Sequence, residues 1–164
     1  MKAIAAFAAA ATLLAACAST QAPPAERHIF VMRHLHKAAD APDPGLTPQG
    51  QACARQLARF LARQEIGAIY ASTTRRAQET AAPLAAARRL AVKTYAPADT
   101  AGVAARAQDE AGSVLIVGHS NTVPEIVQGV GGTRPGPIDE SRYADIWRVT
   151  RGGGGTLAMT VPGC

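Results

Sequence analysis

Short apolar segments alternate along this chain with longer segments of high helix propensity, and this alternation restricts the fold more than any other feature. Residues 29–32 and 114–117 are continuous apolar runs of strand length, as expected of parallel strands covered on both faces. Weaker strand signals lie at residues 68–71, 92–95, 146–150 and 157–161. We therefore predict an α/β fold, a three-layer α/β/α sandwich with a mainly parallel central sheet.

Helical segments fill the intervals between these predicted strands. Thr47 and Pro48 predict the N-cap and first turn of a helix that runs to about residue 64. Further helices are predicted from about residue 74 to residue 90, at 100–111 and at 122–130. Glycine and proline at 131–137 predict a loop before the last two strands.

Three of the predicted strands are followed by cationic or imidazole side chains. Arg33 and His34 follow the first strand, Arg75 and Arg76 follow the second, and His119 follows the strand at 114–117. Because the carboxyl ends of parallel strands meet at one edge of a sheet, we expect these groups to converge. The sequence therefore predicts an anion-binding site at that edge.

The first 16 residues have the pattern of a secretory signal peptide, with Lys2 ahead of an apolar stretch at 4–14 that is too short to span a bilayer. Residues 14–17, Leu-Ala-Ala-Cys, resemble the lipobox of bacterial lipoproteins, in which Cys17 becomes the lipidated first residue. We expect a flexible tether at 17–27 and one domain at 28–164. The expected location is the bacterial cell envelope, with a lipid anchor in the membrane and the domain facing the periplasm. An ordinary cleaved signal followed by an incidental Cys17 is the alternative.

Composition limits the classes of partner. The formal net charge is +5, but the arginines are scattered and aromatic residues make up only 4% of the chain, so no nucleic-acid surface is indicated. An anionic small substrate and an anionic membrane surface both suit this charge. Lipidation of Cys17 would leave Cys53 and Cys164 to form a disulfide in an oxidising compartment. Cys53 as a buried small apolar residue is the alternative.

Three segments resemble, in order and spacing, the signatures of the histidine phosphatase superfamily, whose best-known members are the phosphoglycerate mutases. They are Met32-Arg33-His34, the segment Ser72-x-x-x-Arg76-Ala77-x-Glu79-Thr80-Ala81, and residues 114–119, which end in Gly118-His119. The resemblance extends to Leu46-Thr47-Pro48-x-Gly50 and is strongest to small exported or lipoprotein members.

The resemblance implies a phosphomonoester hydrolase in which His34 attacks phosphorus to form a phosphohistidine. It implies that Arg33, Arg76 and His119 hold the phosphoryl oxygens, with no metal or other cofactor, because guanidinium groups neutralise the charge. We expect Ser120 and Asn121 to cap the next helix, whose N-terminus contributes to phosphate binding. The implied partner is a small phosphorylated molecule or a phosphoprotein.

The chain departs from the family pattern beside the nucleophile. Leu35 replaces the usual glycine or alanine, and we expect it to narrow the pocket or shift the loop; His36 replaces a frequent acidic residue. For the general acid that protonates the leaving oxygen we choose Asp99, which lies in the interval where many family members carry theirs. Glu125, Asp43 and His36 itself are the alternatives.

The sequence also allows other hypotheses about the function. Residues 118–122, Gly-His-Ser-Asn-Thr, approach the G-x-S-x-G elbow of serine hydrolases, but the last glycine is missing and no histidine follows His119. His34, His36 and His119 would offer three imidazoles to zinc. A mutase is less expected than a hydrolase in so compact a chain. The remaining rival is a catalytically impaired lipoprotein that binds phosphate esters in the same pocket.

Overall fold

The computed structural model describes residues 26–39 and 42–164. The predicted signal peptide, the lipidation site Cys17 and most of the predicted tether lie outside the described residues. Within the described part the elements follow in the order β1 (His28–Arg33), α1 (Pro48–Phe60), β2 (Ile66–Ser72), α2 (Arg75–Arg88), β3 (Val92–Tyr95), α3 (Thr100–Asp109), β4 (Ser113–Gly118), α4 (Val123–Gly129), β5 (Asp145–Thr150) and β6 (Thr156–Thr160).

The strands of the described part form one six-stranded sheet in the order β3-β2-β4-β1-β5-β6. The first four strands of this order are mutually parallel, whereas β5 and β6 are antiparallel to their neighbours. Helices α1 and α2 pack together, as do α3 and α4. The predicted α/β sandwich with a mainly parallel sheet is confirmed.

Alternation of side chains along β1 explains why the strand is apolar throughout. Phe30 and Met32 belong to the core cluster that α1 and α2 cover, whereas Ile29 and Val31 belong to the cluster that α3 and α4 cover. Successive side chains of a strand point to opposite faces, and here each face is covered by helices. Helices α1 and α2 lie on the face opposite α3 because right-handed crossovers that run in opposite directions along a sheet place their helices on opposite sides.

Helix α1 begins and ends on specific hydrogen bonds. The Thr47 hydroxyl accepts from the backbone N–H of Gly50 at 3.1 Å, and Pro48 occupies the first turn, as predicted. The helix ends at Phe60, several residues before the predicted end. Arg88 of α2 donates to the carbonyls of Leu61, Ala62 and Gln64, which adds side-chain hydrogen bonds to the turn that follows the helix.

The strands β1, β2 and β4 end at the same edge of the sheet, and this edge carries the candidate site.

A disulfide joins Cys53 of α1 to Cys164, with 5.4 Å between their Cα atoms. The hypothesis of a Cys53–Cys164 bridge is thereby supported. None of the helices in the described ranges is long and apolar enough to cross a membrane.

Candidate active site

The histidines that follow β1 and β4 lie side by side, with 5.4 Å between the ring centroids of His34 and His119. Both are largely buried, with exposed fractions of 3% and 8%. The backbone N–H of His34 donates to the carbonyl of Gly118 at 2.9 Å, which extends the β1–β4 pairing to the nucleophile position. Adjacent parallel strands therefore bring the two imidazoles together, as the sequence predicted.

These histidines open onto a cleft of about 460 Å³. Arg76, at the start of α2, lines the same cleft. The polar side chains along the cleft are those of His34, Lys37, Thr74, Arg76, His119, Ser120, Asn121, Thr122 and Glu140. The cleft is therefore cationic and rich in hydrogen-bond donors, which suits a phosphoryl group.

The proton on His34 is placed by the backbone. Its Nδ1 lies 2.9 Å from the carbonyl oxygen of Leu35. Because a carbonyl only accepts, this hydrogen bond requires the proton to be on Nδ1. Nε2 then carries the lone pair, which is the state that a nucleophilic imidazole needs.

Burial and neighbouring charges keep both imidazoles neutral. Burial, opposed by the hydrogen bond to the Leu35 carbonyl and reinforced by the charges of Arg33 and Arg76, lowers the pKa of His34 to about 3. Burial, followed by the charges of Arg76 and Arg33, lowers the pKa of His119 to about 4. For both imidazoles desolvation lowers the pKa more than the repulsion by the two guanidinium groups does.

Arg33 is buried and donates most of its hydrogen bonds to the loop before β5. Its Nη1 donates to the carbonyls of Asp139, Glu140 and Arg142 at 2.9–3.2 Å, and its Nη2 donates to the Glu140 carboxylate at 2.5 Å. Its Nε is buried and has no hydrogen-bond partner among the described residues. Arg33 therefore fixes the loop at the cleft and contributes positive charge beside His34; direct phosphate binding by Arg33 stays a prediction.

The Arg76 side chain makes fewer hydrogen bonds than that of Arg33. Its Nη1 makes a 3.4 Å ion pair with Asp43, and its Nε is buried with no partner in the described part of the chain. Asp43 in turn accepts from the backbone N–H of Arg75 with both carboxylate oxygens. The Arg75 side chain is exposed and pairs with Glu79. The guanidinium that lines the cleft is thus that of Arg76, in the register the motif indicated.

His119 is held by Ser72, the last residue of β2, whose hydroxyl lies 2.9 Å from its Nε2. The backbone N–H of His119 donates to the Thr122 hydroxyl at 3.0 Å. The expectation that Ser120 and Asn121 cap the next helix is wrong, because α4 begins at Val123 with Thr122 at the N-cap position. Ser120 and Asn121 lie in the preceding turn and line the cleft, where Ser120 donates to Glu140.

The carboxylates considered for the general acid lie in different places. Asp99 caps α3 by accepting from the N–H of Gly102 at 3.1 Å and pairs with Arg106 at 2.9 Å; it does not line the cleft, although its neighbours Pro97 and Ala98 do. Glu125 accepts from Thr100 at 3.3 Å and also lies outside the lining. The geometry gives Asp99 a capping role, and its catalytic role stays a prediction.

Leu35 points away from the cleft. Its side chain is fully buried in the core cluster beneath α1 and α2, and its N–H donates to the Thr80 hydroxyl at 3.0 Å. The expectation that Leu35 narrows the pocket is therefore wrong, because the chain after His34 turns this side chain into the core.

Tyr143 and Glu140 are site residues that sequence reasoning missed. The Tyr143 ring lies 4.4 Å from the Arg33 guanidinium and 4.2 Å from the His36 ring, measured between centres. The Tyr143 ring therefore packs against the site. Both residues belong to the loop between α4 and β5, where no periodic pattern marks them; an acidic and an aromatic residue in a Gly/Pro-rich segment were the only signal.

No cluster of three or more histidine, cysteine, aspartate or glutamate side chains arranged to hold a metal ion occurs in residues 26–39 and 42–164. His36 stacks on Tyr143, whereas His34 contacts His119.

A family model described as histidine phosphatase superfamily, branch 1, matches residues 29–97. This match covers the nucleophile segment and Arg76, and the sheet brings His119 beside them. The match and the fold support membership of the histidine phosphatase superfamily. No curated protein sequence matches the chain significantly.

Solved structures of phosphatases resemble most of the described domain. The protein histidine phosphatase SixA, complexed with tungstate, superposes with a TM-score of 0.64 at 26% identity, covering 81% of this chain and 96% of that one. A phosphoserine phosphatase from Entamoeba histolytica, in complex with 3-phosphoglyceric acid, has a TM-score of 0.57 at 15% identity, covering 82% and 95%. A mycobacterial glucosyl-3-phosphoglycerate phosphatase has a TM-score of 0.53 at 15% identity, covering 82% and 96%. The last two likenesses concern the fold; together with the family match, the first supports a phosphatase activity.

Proposed function

We propose that this protein is a phosphatase that hydrolyses phosphorylated substrates through a phosphohistidine on His34 without needing a metal ion. The observation that carries the proposal is the hydrogen bond from His34 Nδ1 to the Leu35 carbonyl, which leaves Nε2 free at the cleft. His119 and Arg76 lie in the same wall, where they meet the charge that develops on the phosphoryl oxygens.

The reaction proceeds in two steps. His34 Nε2 forms a bond to phosphorus while the bond from phosphorus to the leaving oxygen breaks; that oxygen departs with the electron pair and takes a proton from water. Water then attacks phosphorus, the P–N bond breaks, and its electron pair returns to Nε2. Inorganic phosphate and a proton are released, and the imidazole is regenerated.

For the substrate we propose a phosphorylated side chain on a partner protein. The most similar of the structures described above is that of a protein histidine phosphatase. A second cleft of about 550 Å³ continues from the first and shares Ser120, Asn121 and Glu140 with it. Prolines and Arg134 line this second cleft, which gives a leaving group room to extend beyond a single sugar. A phosphohistidine peptide should therefore be hydrolysed faster than a sugar phosphate at equal concentration.

We also propose that the protein is exported and held at the membrane by a lipid on Cys17, as the lipobox-like segment at 14–17 suggests. Metabolic labelling with a lipid analogue should label the wild type but not Cys17→Ser. A soluble, unlabelled wild type would contradict this proposal.

The activity is tested with a generic aryl phosphate in the presence of EDTA. Hydrolysis by the wild type should survive chelation and disappear in His34→Ala. Thermal midpoints measured with vanadate or phosphate provide the second readout. If these anions stabilise the protein but no substrate is turned over, the phosphatase proposal is wrong and the protein binds phosphate esters without hydrolysing them.

A further inference from the structure

Glu140 is the only carboxylate among the described residues that line the cleft of His34 and His119. Its Oε2 accepts from Arg33 Nη2 at 2.5 Å, and its Oε1 accepts from the Ser120 hydroxyl. Arg33 also holds the carbonyl of Glu140 at 2.9 Å. Backbone and carboxylate are therefore fixed together at the mouth of the site.

The ionisation state of the Glu140 carboxylate suits a proton acceptor. The Ser120 hydrogen bond and the charge of Arg33 lower the pKa of Glu140, although burial acts in the opposite direction. The group is ionised at neutral pH and has no proton to give to a leaving oxygen. Its side chain is 73% exposed, so water reaches it directly.

A phosphoryl group on His34 would make Glu140 a stronger base. The added negative charge raises the pKa of a nearby carboxyl group, and the phosphoryl oxygens compete for the Arg33 and Ser120 donors that hold it down. The proton affinity of Glu140 therefore rises at the stage of the reaction when water must be activated.

We propose that Glu140 is the catalytic base of the second step, taking a proton from the water that attacks the phosphohistidine at His34. The inference rests on the proposed function and adds a residue that the sequence did not assign. In this step the water oxygen bonds to phosphorus and one water proton moves to Glu140 Oε. The P–N bond breaks with its electron pair returning to His34 Nε2, and Glu140 later releases the proton to solvent.

The test separates the two steps by rapid quench with an aryl phosphate. Glu140→Gln keeps the shape of the side chain and one oxygen that can accept from Arg33, but it replaces the other oxygen with a donating amide and removes the basicity. The variant should release one equivalent of the aryl alcohol in a fast burst, and its phosphoenzyme should then decay about 10²-fold or more slowly than that of the wild type. Mass spectrometry after an alkaline quench, which preserves phosphohistidine, should locate the phosphoryl group on His34.

Glu65→Gln is the matched control, because it makes the same change in an exposed carboxylate outside the cleft and should behave as the wild type. Glu140→Asp keeps the negative charge but moves it away from the cleft, because the side chain is one methylene shorter. It should slow phosphoenzyme decay less than Glu140→Gln does. Thermal midpoints verify that the variants fold.

A slower burst in Glu140→Gln would make Glu140 an acid of the first step and overturn the proposal. Phosphoenzyme decay at the wild-type rate in a folded Glu140→Gln variant would also overturn it. A wild type that gives neither burst nor phosphate would show instead that the proposed function fails, and this inference with it.

Discussion

Burial decides the protonation of the two imidazoles, and this sets the pH range of the reaction. The nucleophile is the unprotonated form of His34, whose pKa is lowered to about 3, so this form persists as the pH falls below the ordinary histidine range. We expect kcat/KM for aryl phosphates to show no acid limb near pH 6.5 that belongs to His34. An acid limb near 6.5 that is the same for two aryl phosphates of different acidity would contradict this expectation.

Tyr143 stabilises the position of Arg33 through its ring rather than its hydroxyl. Tyr143→Ala should raise KM for an aryl phosphate about tenfold, since a partly desolvated cation–π contact contributes on the order of 1–2 kcal/mol. Tyr143→Phe keeps the ring and should remain close to the wild type. Steady-state kinetics of the two variants test the prediction, and an equal loss in both would assign the effect to the hydroxyl.

The residues of the site were predictable where they follow a strand. His34, Arg76 and His119 could be placed together because strand ends share an edge of the sheet. Glu140 and Tyr143 could not, because they lie in a loop without periodicity whose path depends on Arg33 and its hydrogen bonds to loop carbonyls. Such a path is a tertiary property and leaves no local pattern.

Among the elements, the strands were predicted best, and β1 and β4 gave the clearest signal because both of their faces are buried. The segment predicted at 114–117 is strand Ser113–Gly118, and the one predicted at 92–95 is Val92–Tyr95. Helix ends were predicted less well: α1 stops at Phe60, where Arg88 of another helix caps the carbonyls that follow. A cap that comes from a distant segment cannot be read from the helix itself.

The turn after β1 anchors the site in the core through Leu35. Leu35→Ala should lower the free energy of unfolding by about 2–5 kcal/mol, because it removes a fully buried side chain and leaves a cavity. Leu157→Ala changes an exposed leucine, 48% accessible on β6, and should have little effect. Urea unfolding of both variants measures the difference; equal small losses would mean that the core collapses to fill the space.

At the scale of the whole molecule, the Cys53–Cys164 disulfide joins α1 to the last residue across 111 positions of sequence. A link over so long a loop restricts the unfolded chain, so replacing both cysteines with serine should lower stability by about 2–5 kcal/mol. Thermal unfolding with and without reductant gives the measurement. Reductant should lower the midpoint of the wild type and leave that of the double variant unchanged; a wild type insensitive to reductant would contradict the prediction.

Strand β1 begins at His28 and ends at Arg33, beside the nucleophile, so it runs the full height of the sheet. Six residues of strand span about 20 Å. The start of the described domain and the mouth of the cleft therefore lie at opposite ends of the molecule. A domain attached to a sensor chip at the start of β1 would therefore hold the cleft on the side that faces the solution.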